Sequence, residues 1–331
     1  MPLLGAAWVL AAPALKLNPM VDSILEPAAL NFRTGQFGTC LNGQTFQIDA
    51  LVTFQGWQYA TWFDAQRHLA AGRRALPAGR WETFAFDDYT FTHTDVHNVA
   101  VIGVCPADGT VHLSFDHHGH PLHYRVSRPR VATAPEEVVW SAALFGPTTS
   151  ELIAGQAISG VTYPAFFSTP EGKLQLTWRT GGSGNGDTWI AEYAAGAGWT
   201  VPGKFISGQG LYGTSATRNA YPNGFDYGPD GRLHTTWVWR EGEDNGTYGL
   251  RNCHDLMYAC SDDGGRTWRN NAGAPFDLPI RVDSPGVTVV PLRYRWGMMN
   301  QLTPDRRRPR PGPRRALEQP ARRAGAGAGQ G

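Results

Sequence analysis
Apolar residues recur at every second position in short runs along the chain. Val111, Leu113 and Phe115 alternate with polar neighbours, and so do Leu174, Leu176 and Trp178; this is the period of a half-buried strand. Each run follows a turn of acidic-Gly or Gln-Gly type. Gln55-Gly56 leads into Trp57 to Phe63, Asp108-Gly109 into Val111 to Asp116, Glu171-Gly172 into Leu174 to Trp178, and Asp230-Gly231 into Leu233 to Trp239. The four glycines are 53, 63 and 59 residues apart. A repeat of that length, built of strands and turns without a helical period, predicts the blades of a β-propeller, each a four-stranded sheet. A β-sandwich with coincidental spacing is the competing reading.

The segment Ser261-Asp262-Asp263-Gly264-Gly265-Arg266-Thr267-Trp268 fits the Asp-box pattern S-x-D-x-G-x-T-W and favours the propeller. Its Asp ties a turn together, its Gly permits the bend and its Trp packs beneath. The alternation stops after Gln301, and Pro304 to Gly331 is Arg, Pro, Gly and Ala in low-complexity order, a composition that cannot bury a core. Three segments are therefore expected. A signal peptide covers residues 1–15, on the strength of their apolar run and Ala12-Pro13-Ala14, although no basic residue precedes the run and a buried first strand is the alternative. An incomplete propeller covers 16–303. A disordered tail covers 304–331, read either as a genuine basic tail or as coding sequence out of frame.

Composition agrees with an all-β chain. Of 331 residues 41% are hydrophobic and 17% charged, with 12 Trp, 11 Tyr and 15 Phe beside 40 Gly and 24 Pro. Strand-favouring aromatics mixed with turn formers argue against a helical bundle. The net charge of +1 hides an asymmetry: the tail carries eight Arg against Asp305 and Glu318, so the rest of the chain is net acidic. An acidic body has no electrostatic footprint for nucleic acid. No apolar run reaches the roughly 20 residues that cross a bilayer, so no membrane partner is expected. Four cysteines are too few for a disulfide scaffold.

Seven of the ten histidines fall between positions 93 and 123. Two strands joined by the turn Pro106-Ala107-Asp108-Gly109 would bring His97 near His117 or His118, where loops meet. Three meanings are open: imidazoles that move protons, a metal site through His117-His118-x-His120, or polar loop residues without a task. His112 and His123 lie in or beside strand patterns and read as structural.

The block from His97-Asn98 through Asp108-Gly109, His112 and Phe115-Asp116-His117-His118 to Leu122-His123-Tyr124-Arg125-Val126-Ser127 resembles the BNR-repeat propeller family that includes ulvan lyases. The same broad group holds lyases and hydrolases acting on rhamnosyl-glucuronate linkages. Val161-Thr162-Tyr163-Pro164-Ala165-Phe166, Leu176-Thr177-Trp178-Arg179, Asn219-Ala220-Tyr221-Pro222-Asn223-Gly224 and the Asp box extend the resemblance over residues 40 to 303. It implies a propeller that is seven-bladed in the family, of which about five blades' worth of sequence is present here.

The resemblance also implies a reaction. Lyases of this kind remove the C5 proton of a uronate and expel the C4 oxygen. The step needs a cation at the carboxylate, a base near C5 and an acid near O4. By resemblance His97 and Tyr163 match the proton-transfer pair, Arg179 the carboxylate neutraliser, His118 (or His117) the second histidine and Tyr221 a further tyrosine, with Asn98 and His117 beside the substrate. Apart from the family, Tyr163 and Tyr221, each before Pro, read as loop anchors, and Arg179 as one half of a salt bridge. The arginine triad and Tyr-Glu pair on which sialidases rely are not found. The implied substrate is an acidic polysaccharide containing rhamnose and a uronic acid. A secreted monomeric lyase is expected; a hydrolase releasing rhamnose from glucuronate and an inactive carbohydrate-binding propeller are the alternatives. No catalytic cofactor is expected. His234, Cys253, His254 and Cys260 offer mixed N/S ligands for a structural zinc, with a Cys253–Cys260 disulfide as the alternative.

Overall fold
The chain folds into antiparallel hairpins that form successive sheets. The computed structural model describes residues 23–35, 37–44, 46–242, 252–293, 296, 298 and 300. The segments 1–15 and 304–331, expected to be a leader and a tail, lie outside the described residues. β1 (Leu51–Phe54), β2 (Trp57–Phe63), β3 (His68–Ala75) and β4 (Glu82–Thr90) form the first sheet in that order. β5 (Ala100–Val104) and β6 (Val111–Phe115) begin the second; β7 (His118–His120) leaves it for the third, and β8 (Tyr124–Val126) returns to pair with β6. A ribbon of β9 (Glu151–Ile153) and β10 (Gln156–Ala157) follows. The third sheet contains β11 (Val161–Ser168), β12 (Leu174–Gly182), β13 (Asn185–Ala194) and β14 (Gly198–Ile206), with β7 along the outside of β11. The fourth runs β15 (Gln209–Tyr212), β16 (Ser215–Tyr227), β17 (Leu233–Glu241), β18 (Cys253–Ser261) and β19 (Thr288–Val290). Among the described residues there are two short 3-10 turns and no α-helix.

The repeated glycines mark one structural position. Gly56, Gly109, Gly172 and Gly231 close the hairpins β1–β2, β5–β6, β11–β12 and β16–β17, with φ of +80°, +68°, +81° and +76°. A side chain at that φ is strained, which is why glycine recurs there. The sequence period is thus the period of the blades, and the described residues form four of them. One expectation changes. β6 and the start of β12 were expected to be half-buried, yet all five residues of β6 and Leu174 to Arg179 of β12 are buried. An inner strand of a propeller is covered on both faces by the adjoining blades, so its polar alternates are enclosed too.

Some of those enclosed polar groups are hydrogen-bonded, whereas Ser114 Oγ and the Nε and Nη1 of Arg179 have no partner among the described residues. His112 bonds Thr110 Oγ1 through Nε2 at 2.7 Å and Tyr124 OH through Nδ1 at 2.6 Å, and its burial lowers its pKa to about 3. The Asp box ends β18 as its pattern requires. Asp263 Oδ1 accepts the N–H groups of Arg266 and Thr267 at 3.1 and 2.8 Å. Trp268 is fully buried and stacks on Phe205 of β14, centroids 4.7 Å apart, joining the fourth blade to the third.

Candidate active site
β7 explains how a histidine from one blade reaches the chemistry of the next. It pairs His118 with Thr162 on β11, and Thr162 pairs in turn with Arg179 on β12, so three neighbouring strands place His118, Thr162 and Arg179 in one row. The register of β11 then slips between Thr162 and Ala165. Tyr163 sits in this bulge at φ +54°. A bulge re-aims a side chain, and here the phenol lies beside Arg179 and Tyr221. Tyr221 comes from β16, the inner strand of the following blade.

Asp95 organises the histidines. Its Oδ1 accepts the backbone N–H of His97 at 2.9 Å and lies 2.6 Å from His97 Nδ1; its Oδ2 lies 2.6 Å from His118 Nδ1. The two imidazoles stack with centroids 4.3 Å apart and planes 20° from parallel. Phe46 stacks on the other face of His97 at 5.2 Å and meets Tyr163 edge-on at 5.3 Å. Burial alone would raise the Asp95 carboxyl, but hydrogen bonds from His97 and His118 outweigh it and hold the group below its ordinary value. Burial lowers the His118 imidazole; Asp95 pulls the other way, and His97 and Arg179 add to the fall.

Arg179 is the buried cation of the cluster. Its guanidinium carbon lies 5.0 Å from the Tyr163 ring centroid and 5.8 Å from that of Tyr221. The residue is 4% exposed, and its Nε and Nη1 have no hydrogen-bond partner among the described residues. The salt bridge that a structural role calls for is absent among those residues. Tyr163 and Tyr221 face each other at 5.9 Å. Burial raises the Tyr163 hydroxyl above the ordinary tyrosine range, Tyr221 adds to the rise, and Arg179 opposes it. Arg240 lies beyond Tyr221, its Nη1 donating to the phenol oxygen at 3.4 Å.

His97, His118, Tyr163, Arg179 and Tyr221 therefore converge. His117 does not. Its ring is fully buried, and Nε2 accepts the backbone N–H of His123 at 2.8 Å, so of the two candidate histidines it is His118 that joins the cluster. Neighbouring strand residues point to opposite faces, so only one of the two could face Asp95. Asn98 is also fully buried; its amide donates to Asp116 Oδ1 at 2.5 Å and reaches His120 Nδ1 at 3.1 Å. It lines a polar pocket with Asp95, His118, His120 and His93.

The metal readings change with the geometry. His117, His118 and His120 diverge, to His123, to Asp95 and to Asn98. Two sets of residues gather their donor atoms within 4.8 Å: His93, Asp116 and His120, where the Asn98 amide already bridges Asp116 and His120, and Asp95, His97 and His118, where each Nδ1 lies at hydrogen-bond distance, 2.6 Å, from a carboxylate oxygen. The zinc expected from His234, Cys253, His254 and Cys260 is corrected. Cys253 and Cys260 lie at opposite ends of the extended strand β18, paired with Arg240 and His234. Seven residues of strand separate them by roughly 23 Å, which rules out one tetrahedral site or a mutual disulfide. All four cysteines are free.

Asp95 carries no role in the sequence reading, although an Asp two residues before a His is the form of a side chain that closes a local turn onto the following N–H. Phe46 and Arg240 had no comparable local signal; only the packing of separate blades brings them to the cluster.

Four antiparallel blades with a polar cluster at the ends of their inner strands define a β-propeller. The chain belongs to the BNR repeat-containing family, whose pattern it matches over residues 57–305. It is 27% identical over 288 residues to an ulvan lyase, long isoform, of Pseudoalteromonas sp. (strain PLSV), covering 72% of this chain and 28% of that protein. It is 24% identical to an ulvan lyase, short isoform, of Alteromonas sp. (strain LOR), covering 72% and 54%. The chain thus spans under a third of the long relatives and about half of the short one. Among solved structures it is similar to the polysaccharide lyase Uly1, with a TM-score of 0.65, 22% identity and coverage of 81% of this chain and 62% of that one. It is also similar to a PL25 ulvan lyase bound to -[GlcA(1-4)Rha3S]-, with a TM-score of 0.58, 14% identity and coverage of 78% and 60%. These likenesses show the propeller fold.

Proposed function
We propose that the chain carries the active site of a polysaccharide lyase that cleaves an acidic, uronate-containing glycan by β-elimination. The observation that carries this reading is Arg179: a buried guanidinium whose Nε and Nη1 have no partner among the described residues, set near the rings of Tyr163 and Tyr221 and close enough to His118 to act on its charge. A buried cation without an anion is costly, and a substrate carboxylate supplies the anion in the bidentate geometry that guanidinium favours.

The chemistry follows from the charges. Removing the C5 proton of a uronate places negative charge on its carboxylate, and Arg179 stabilises that charge as it develops. The His97–His118 pair offers neutral imidazole nitrogen as the base. Tyr163, raised in pKa, stays protonated at neutral pH and donates its proton to the departing O4. Tyr221 and Arg240 bind beside this reacting group. The relatives named for ulvan cleavage support ulvan, or a similar rhamnose-uronate polymer, as the substrate class. A polymer of that size is met outside the cell, which supports a secreted protein.

Elimination leaves a conjugated double bond that absorbs at about 235 nm, and hydrolysis does not. The test is an absorbance time course with ulvan and with gum arabic, run beside assays of reducing ends and free rhamnose. Rising absorbance is the expected result. Reducing ends or rhamnose without absorbance would replace this reading with a hydrolase, and glycan binding without turnover would replace it with a binding propeller.

A further inference from the structure
Both imidazoles of the cluster spend the same nitrogen on the same carboxylate. Asp95 is 9% exposed, and Oδ1 and Oδ2 each meet one ring at Nδ1, at 2.6 Å. An ionised carboxylate only accepts hydrogen bonds, so each Nδ1 must carry a proton. That leaves Nε2 of each ring as the atom free for chemistry.

We propose that Asp95 is the positioning residue of this site, fixing His97 and His118 in the Nδ1–H tautomer and coupling them into one proton-transfer unit. The proposal rests on the lyase reading for what the unit does, but the arrangement itself is independent of any substrate. One anion between two rings favours a proton on the pair, while the rings, stacked at 4.3 Å, resist a second because two cations would adjoin. One ring can then be neutral at Nε2 and abstract the C5 proton, the stacked neighbour sharing the charge that results, while donation to O4 stays with Tyr163.

The neighbours leave Asp95 as the one carboxylate within ion-pairing distance of the two rings among the described residues. Arg179, across the ladder from His118, opposes protonation. Phe46 and Phe37 pack on the rings and carry no charge. His93, His120 and Asp116 form the adjoining cluster, separated by the Asn98 amide. The tautomers therefore depend on Asp95.

The test is nitrogen NMR on protein with labelled histidine, with kinetics on Asp95→Asn. In the parent, both rings should show Nδ1–H while neutral. In Asp95→Asn that preference should be lost and the His118 titration should move to lower pH, because the anion that favours its charged form is gone. The variant's kcat should fall about 10²- to 10⁴-fold, the range for removing the carboxylate behind a catalytic imidazole, with KM within about threefold. The acidic limb of its pH profile should shift down with the titration. A parent in which either ring is protonated at Nε2 and bare at Nδ1 would overturn the proposal, whether or not the variant folds. So would a variant whose titration is unmoved. If the parent tautomers are as expected but no polymer is cleaved, the lyase reading fails and the positioning role of Asp95 stands.

Discussion

The guanidinium of Arg179 lies 5.0 Å from the ring of Tyr163, on the neighbouring strand of the same blade, and takes no hydrogen bond through Nε or Nη1 among the described residues. An arginine held this way is ready for an anion that the protein does not supply. Arg179→Lys keeps the charge and loses the planar fork. Turnover on ulvan should fall by about 10- to 1000-fold, the range for lost oxyanion donors, with thermal stability little changed. Unchanged turnover would remove Arg179 from the site.

Tyr163→Phe keeps the ring between Arg179 and Phe46 and deletes only the hydroxyl. Steady-state kinetics should show kcat reduced about 10²- to 10⁴-fold, the contribution of a positioned acid, and KM nearly unaltered. A variant that loses KM but not kcat would make Tyr163 a binding residue.

The directions of the pKa shifts set the pH range of activity. Burial lowers His118, so its neutral form persists as pH falls through the ordinary histidine value of about 6.5. Burial raises Tyr163, so its proton persists as pH climbs to the ordinary tyrosine value of about 10. The profile of kcat/KM should be a broad plateau whose acidic limb begins below the first value and whose alkaline limb begins above the second. A narrow bell centred between ordinary imidazole and carboxylate values would contradict these assignments.

Arg218 and Glu241 form a fully buried bidentate pair at the ends of β16 and β17, at 2.6 and 2.9 Å, with His254 Nε2 also 2.8 Å from Glu241. Breaking one side of such a pair strands the other charge. Arg218→Met should lower unfolding free energy by about 3–5 kcal/mol, read by chemical denaturation. A loss below about 1 kcal/mol would mean that the network relaxes around the gap.

The architecture was legible because its signal is local and repeated. Four glycines at one hairpin position, with alternating runs after each, specify blades wherever they occur. The site was legible through resemblance for His97, His118, Tyr163, Arg179 and Tyr221, which the structure brings together from three blades. Neighbouring histidines look alike in a sequence, so His117 could not be told from His118 until β7 showed which one faces Asp95. Cys253 and Cys260 looked close because only seven positions separate them, and extended strand turned that spacing into distance. Asp95 went unassigned because its meaning comes from His118, which reaches it from another sheet.

The most direct measurement is the mass of the products released from ulvan in heavy-oxygen water. Elimination breaks the bond without adding water, so the new non-reducing ends should be lighter than hydrolysis products by one water and should carry no heavy oxygen introduced at cleavage. Products that have gained a water, with heavy oxygen built in at the cleaved bond, would contradict the lyase chemistry assigned to Arg179, Tyr163 and the two histidines.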